Sequence, residues 1–350
     1  MRKPLFAMTK NEHHLFFSYM VIANVLLVVI VLLYYHVYRI FGTTLLLGWD
    51  SPSYVWMAKY ILDKGPISMV YAWGYPNFYT LLLASLGFLS GDILAVERIL
   101  PFFFSALLIY ANSKFVVGIT KNIHVAGLAA ILTVLSLNVL RIFSDLHRNL
   151  MALSLSYIAY LLVPNLAEEK GIMNKKLFSL ILILLVIAGT HFETYVVVFL
   201  SLLLFGFLTR NLKNLMILTV ACVIPVALFA LLFPAYFFGY IGTVVFFERG
   251  LTINEVLMWI GGCWVLVGFL IMGGYFFYKT RLQNNKLILL VFSWCLTILL
   301  IVVSIGIKLA PFPNEFAYRA LLLMPVPILL ALATSGFNEF IKHWQSRQSF

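Results

Sequence analysis

Charge is scarce in this chain. Asp, Glu, Lys and Arg make up only 11% of its 350 residues, and the acids number 13. With 63% hydrophobic residues and a mean hydropathy of +1.01, so few polar side chains exclude a soluble globular protein. Cysteine is nearly absent too. Cys222, Cys263 and Cys295 all lie inside apolar runs, so no disulfide framework and no thiolate metal site is legible. Internal repeats, low-complexity tracts and a soluble domain are also missing. Without repeats, and with mid-span regions almost free of charge, the pattern differs from a transporter or flippase built from paired, broken-helix halves.

What is present is a series of long runs rich in Leu, Ile and Phe. Backbone polar groups inside a bilayer must be satisfied within the segment, so these runs predict an all-α integral membrane protein. A spanning helix needs about 20 apolar residues. Strong candidates cover 15–38, 95–118, 123–142, 214–236, 255–277, 287–307 and 319–337, and shorter ones cover 149–164, 177–190 and 192–209. The basic N-terminal stretch "MRKPLFAMTKNEHH" precedes a run too long for a cleaved signal, which predicts a permanent first span. The segment "NFYTLLLASLGFLS" at 77–90 is short and fits an interfacial or re-entrant piece better than a span.

Leaving that segment out gives about ten transmembrane helices with both termini on one side. Placing those termini in the cytoplasm puts 15 of the 24 Lys and Arg inside, with only Glu12, Glu168, Glu169 and Glu339 among the acids. The positive-inside rule is then satisfied. The net charge of +11 reads as a topology signal with affinity for anionic membrane lipids, and gives no indication of nucleic-acid binding.

The same threading gathers acids, bases and histidines at the outer helix ends. The first outer loop, 43–94, is the longest and contains "GWDSPSYVWMAKYILDKG". Tyr54, Val55, Met57, Ala58, Ile61 and Leu62 form one apolar stripe there, with Lys59, Asp63 and Lys64 elsewhere on the wheel. This predicts an amphipathic helix on the membrane surface, with Asp50 at its start, either as a helix cap or as a functional carboxylate. Further outer groups are Glu97 and Arg98, then Asp145, His147 and Arg148 of "SDLHRN", His191 and Glu193 of "GTHFETY", and Arg319. The span preceding His191 and Glu193 is short. These two would therefore lie below the surface, where polar residues usually face a cavity.

This layout resembles the GT-C superfamily of polytopic glycosyltransferases, which use polyprenyl-phosphate-linked sugars. The matching stretches are "GWDSPSYVWMAKYILDKG", "AVERILPFFFSALLIYANSKF" and "SDLHRN". The resemblance covers a module over roughly residues 1–210, with additional C-terminal helices over 211–350. Asp145-Leu146-His147 stands where oligosaccharyltransferases carry two acids, and their Trp-Trp-Asp motif is absent, so the likeness is to the mannosyl- and aminoarabinosyl-transferase-like branch. It implies sugar transfer to an acceptor hydroxyl of a lipid, glycan or protein on the non-cytoplasmic face, with inversion and with Asp50 as base. Such chemistry needs cations for the departing phosphate. Arg98, Arg148 and Arg319 suit that role, although arginines at helix ends also snorkel to headgroups. Asp145, His147, His191 and Glu193 are candidates for donor or acceptor binding. A carboxylate and imidazole set such as Asp50, Asp145 and His147 suits a divalent cation, Mg²⁺ or Mn²⁺. The alternatives from the same substrate world are a polysaccharide polymerase or ligase, and a lipid-linked-sugar transporter or flippase.

Overall fold

The computed structural model describes residues 8–40, 50–73, 77–168, 175–234, 286–306, 309 and 314–348. The span expected at 255–277 lies outside them. Every regular element among the described residues is helical. In chain order these are α1 (Lys10–Ile40), α2 (Ser51–Lys64), α3 (Ile67–Trp73), α4 (Phe78–Ser90), α5 (Ile93–Thr120), α6 (Ile123–Leu135), α7 (Leu137–Asp145) and α8 (His147–Leu162). A 3-10 turn (Val163–Glu168) leads on to α9 (Lys175–Thr190), α10 (Phe192–Leu208) and α11 (Leu212–Leu232). Last come α12 (Lys286–Gly306), α13 (Asn314–Leu322) and α14 (Val326–Gln348).

Local chemistry fixes several helix starts. Asn77, Asp92, Asn122, His191 and Asn211 each accept a hydrogen bond from a backbone N–H of the turn they precede. These donors would otherwise have no partner in the helix. Gly91, with φ of 76°, ends α4 in the left-handed region, and Lys121 (φ 57°) does the same for α5.

Four described helices are long and apolar enough to cross a membrane: the Lys10–Tyr34 stretch of α1, then α5, α11 and α12. Shorter apolar helices are α4, α6, α10 and the Val326–Asn338 part of α14. Composition and structure thus agree on an all-α membrane protein. Two expected spans are divided. The run at 123–142 breaks at Ser136, whose extended backbone (ψ 123°) separates α6 from α7. The run at 319–337 breaks between α13 and α14, where Pro325 and Pro327 lack the N–H groups a continuous helix requires.

The long α5 is the central strut, packed against α1, α4, α6, α8 and α14. It is tied to α6 by Asn112 Nδ2, which donates to Thr133 Oγ1 at 3.0 Å, and the small residues Ala126, Ala129 and Ala130 of α6 are all buried. On α6, Gly127 leaves the space that the Tyr19 ring of α1 fills, since a Cβ there would lie 2.5 Å from ring carbons. The surface helix α2 packs on α3, α4 and α5 through Ser51, Tyr54, Val55, Ala58 and Ile61, while Lys59, Asp63 and Lys64 are exposed. Helix α4 has only 13 residues, about 20 Å of rise, which is short of a hydrocarbon core about 30 Å thick.

The bundle has two distinct ends. At one, the Tyr19 hydroxyl meets His124 Nδ1 at 2.9 Å, and Lys286 Nζ donates to the Pro164 carbonyl at 3.2 Å. At the other lie the starts of α2, α4, α5, α8 and α10.

Candidate functional site

The second end is assembled from first and second helical turns. Tyr79 on α4 donates its hydroxyl hydrogen to Glu97 Oε2 of α5 at 2.6 Å. Glu97 Oε1 is 2.7 Å from Nδ1 of His147, the first residue of α8. The other ring nitrogen, Nε2, donates to the Phe143 carbonyl of α7 at 2.9 Å. Glu97 and His147 are 1% and 3% exposed, so this chain is sealed from solvent. Pro101, four residues on, has no N–H to give the Glu97 carbonyl, which leaves the helix locally open at that turn.

Above this chain sits Tyr54 of α2, with its ring centroid 5.1 Å from that of Tyr79 and 6.0 Å from that of His147. Its hydroxyl donates to Asp50 Oδ2 over a long 3.3 Å. Burial pushes the Tyr54 phenol well above its usual range, so it remains a donor to that carboxylate. Asp50 occupies the N-cap position of α2 but makes no side-chain cap bond, so the helix-cap explanation does not account for it. The Arg148 guanidinium lies 5.8 Å from the Tyr54 ring, a cation–π distance.

A third group completes the end. His191 caps α10, its Nδ1 accepting from the Thr194 N–H at 3.2 Å. That assignment leaves the hydrogen on Nε2, 3.3 Å from Glu193 Oε2 but out of hydrogen-bond alignment. Glu193 Oε2 also accepts from Arg319 Nη1 of α13 at 2.8 Å. Burial first, then the positive charges of Arg148 and Arg319, hold the His191 imidazole well below its usual range, and it is neutral.

Of the residues singled out in the sequence, Asp50, His147, Arg148, His191, Glu193 and Arg319 therefore converge, although they come from four separate stretches of chain. Arg98 is exposed, one position beyond the buried Glu97 on α5. Asp145 ends α7, and its side chain lies outside the described part. His147 has both ring nitrogens engaged, so as placed it offers no lone pair to a metal. Among the described residues no three of His, Cys, Asp or Glu stand close enough to hold a metal ion. Of the trio expected to hold a metal, Asp50 and His147 lie at this end, and the Asp145 side chain lies outside the described part.

Phosphate chemistry calls for cations and so draws attention to Arg98, whereas the structure places its neighbour Glu97 in the cluster. A signal for it existed. Glu97 shares a helical stripe with Leu100, Phe104 and Leu108, all buried. A carboxylate on an apolar stripe needs partners, whereas Arg98 falls on the adjoining face.

Fold and composition define an α-helical membrane protein with a polar cluster at one end. No family model and no curated protein matches the chain.

Proposed function

We propose that this protein is a membrane glycosyltransferase, moving a sugar from a polyprenyl phosphate to an acceptor hydroxyl with inversion. The observation that carries the reading is the convergence of one carboxylate, Asp50, with two guanidiniums, Arg148 and Arg319, at the same end of the bundle. Asp50 takes the proton of the acceptor hydroxyl. The acceptor oxygen attacks the anomeric carbon from the face opposite the phosphate. The bond from that carbon to the phosphate oxygen breaks, and its electron pair leaves with the polyprenyl phosphate. Arg148 and Arg319 balance the charge that develops on the leaving group, and guanidiniums suit phosphate oxygens. Tyr54 holds the carboxylate through Oδ2, and His191 and Glu193 line the acceptor side. Protonated Asp50 then releases its proton to water.

In this reading the chain has ten spans. The end carrying Lys121, Lys175, Lys176, Arg210, Lys213 and Lys286 is cytoplasmic, as the positive-inside rule requires, and so are both termini. The polar cluster then faces the non-cytoplasmic side of the cell membrane. An apolar groove of about 630 Å³ between α10, α11 and α12, lined by Leu200, Leu203, Phe207, Leu215, Leu300 and Ile301, is suited to a hydrocarbon tail. Leu200 is seven residues along α10 from Glu193, about 10 Å.

The test is transfer from a labelled polyprenyl-phosphate sugar by the purified chain in lipid nanodiscs, with and without Mg²⁺ or Mn²⁺. Asp50→Asn is expected to lower turnover by about 10²–10⁴-fold with membrane level and melting temperature unchanged. Near-normal transfer by that variant would remove Asp50 as the base.

A further inference from the structure

The buried chain of Tyr79, Glu97 and His147 touches no substrate in the reaction above, yet the Tyr79 hydroxyl, both Glu97 oxygens and both His147 ring nitrogens are engaged. Its hydrogen-bond roles follow from its acceptors. The Phe143 carbonyl can only accept, so His147 Nε2 carries a hydrogen. The Tyr79 hydroxyl donates to Glu97 Oε2. One further proton then lies between His147 Nδ1 and Glu97 Oε1, 2.7 Å apart. Whichever atom holds that proton, carboxyl and imidazole together carry no net charge.

We propose that Glu97, His147 and Tyr79 form an electroneutral clasp that positions Tyr54 and Arg148 for an anionic lipid phosphate, with Glu97 as the positioning residue. The proposal depends on the transferase reading only for the identity of the ligand. Mechanically, the clasp ties the first turns of α4, α5 and α8 together, and the Tyr54 ring rests on two of its members. Arg148 follows His147 on the same turn, so the clasp also sets where that guanidinium starts. The Arg148 guanidinium lies 5.8 Å from the same Tyr54 ring, so the clasp and the anion-binding side share one aromatic face. A carboxylate deprived of its imidazole would set a negative charge beside Arg148 and oppose phosphate there.

The experiment compares full-length wild type, Glu97→Ala, Glu97→Gln, His147→Asn and the double variant Glu97→Gln with His147→Asn. Binding of a polyprenyl monophosphate and of the uncharged polyprenol is measured in nanodiscs, alongside thermal unfolding. His147→Asn keeps a side-chain amide near Nδ1 but leaves the Glu97 carboxylate unbalanced, so phosphate affinity is expected to fall about tenfold or more while polyprenol affinity holds. The double variant restores neutrality and should return phosphate affinity to within about threefold of wild type. Glu97→Gln should recover most of what Glu97→Ala loses, because an amide can still accept from Tyr79 and donate to Nδ1. A double variant no better than His147→Asn overturns the proposal. So does an equal loss of phosphate and polyprenol binding in His147→Asn. If wild type binds no polyprenyl phosphate, the transferase reading fails and melting decides on the clasp. A double variant more stable than His147→Asn supports it, and two equally unstable variants overturn it. If His147→Asn does not fold at all, folding of the double variant is the supporting result and its failure the opposing one.

Discussion

Gly189, near the end of α9, is a close meeting point of the scaffold and the polar cluster. A Cβ placed there would lie 2.2 and 2.3 Å from two ring carbons of Phe78 and 3.1 Å from Phe229. Phe78 opens α4, one residue before Tyr79, and His191 lies two residues beyond Gly189. For Gly189→Ala the Phe78 ring must retreat by about 1.2 Å to reach the ordinary contact distance of 3.4 Å, and Phe229 closes off part of the space. Overpacking of this kind costs about 1–3 kcal/mol. The gain in helix propensity from Gly to Ala offsets up to about 1 kcal/mol. The expected result is a net loss of about 1–2 kcal/mol, read from SDS-induced unfolding in mixed micelles by tryptophan fluorescence. In a Phe78→Ala background the clash partner is gone, so Gly189→Ala should there be neutral or stabilising. That is a coupling of about 1 kcal/mol or more in the double-mutant cycle. Displacing Phe78 also moves Tyr79, so transfer activity should fall along with stability. Additive effects, or a Gly189→Ala protein as stable as wild type, would refute the reasoning.

Three further outcomes follow from the same geometry. His191 has its pKa lowered in the folded protein, so below its ordinary value near 6.5 the unfolded chain binds the extra proton and stability falls as pH drops. His191→Asn keeps an oxygen to cap Thr194 but does not titrate, so its melting temperature should decline less than that of wild type between pH 7 and pH 5. Arg319→Ala should cost about 1 kcal/mol in unfolding experiments, a partly exposed pair being screened by solvent. It should cost almost nothing on top of Glu193→Ala, because the two share one hydrogen bond between α10 and α13. Tyr195→Phe leaves the Cys222 carbonyl of α11 without its side-chain donor. It should destabilise the protein by about 1 kcal/mol with transfer unchanged, since Tyr195 packs against α11 and takes no part in the cluster.

The sequence displayed helix content and membrane character almost fully, because apolar runs and bilayer thickness are both one-dimensional quantities. It displayed helix breaks less well. Leu, Ile and Val continue across Ser136, so hydropathy alone gives one span over 123–142 where two helices stand. Pro325 and Pro327 did mark the second break, but their apolar surroundings outweighed them in a span count. The polar end was legible as a set of loop residues, since alternating direction forces Asp50, His147, His191 and Arg319 onto one end. Which of them touch was not legible. Glu97 rather than Arg98 faces inward because of a rotation of about 100° per residue, and the commitment of His147 to Glu97 depends on how α5 and α8 pack. The cap explanation for Asp50 was equally consistent with its position, and only the direction of its side chain decides against it.

In three of the helices, α5, α8 and α10, the cluster residues lie within about two turns of the beginning, and the rest of each helix runs toward the other end of the bundle. The opposite ends can therefore grow or shrink without altering the spacing of a single side chain in the cluster. A thicker or thinner bilayer is met by adding or removing residues there, and the register at the working end is preserved. Transplanting the protein between membranes of different composition should thus be a matter of tailoring the far termini of its rods.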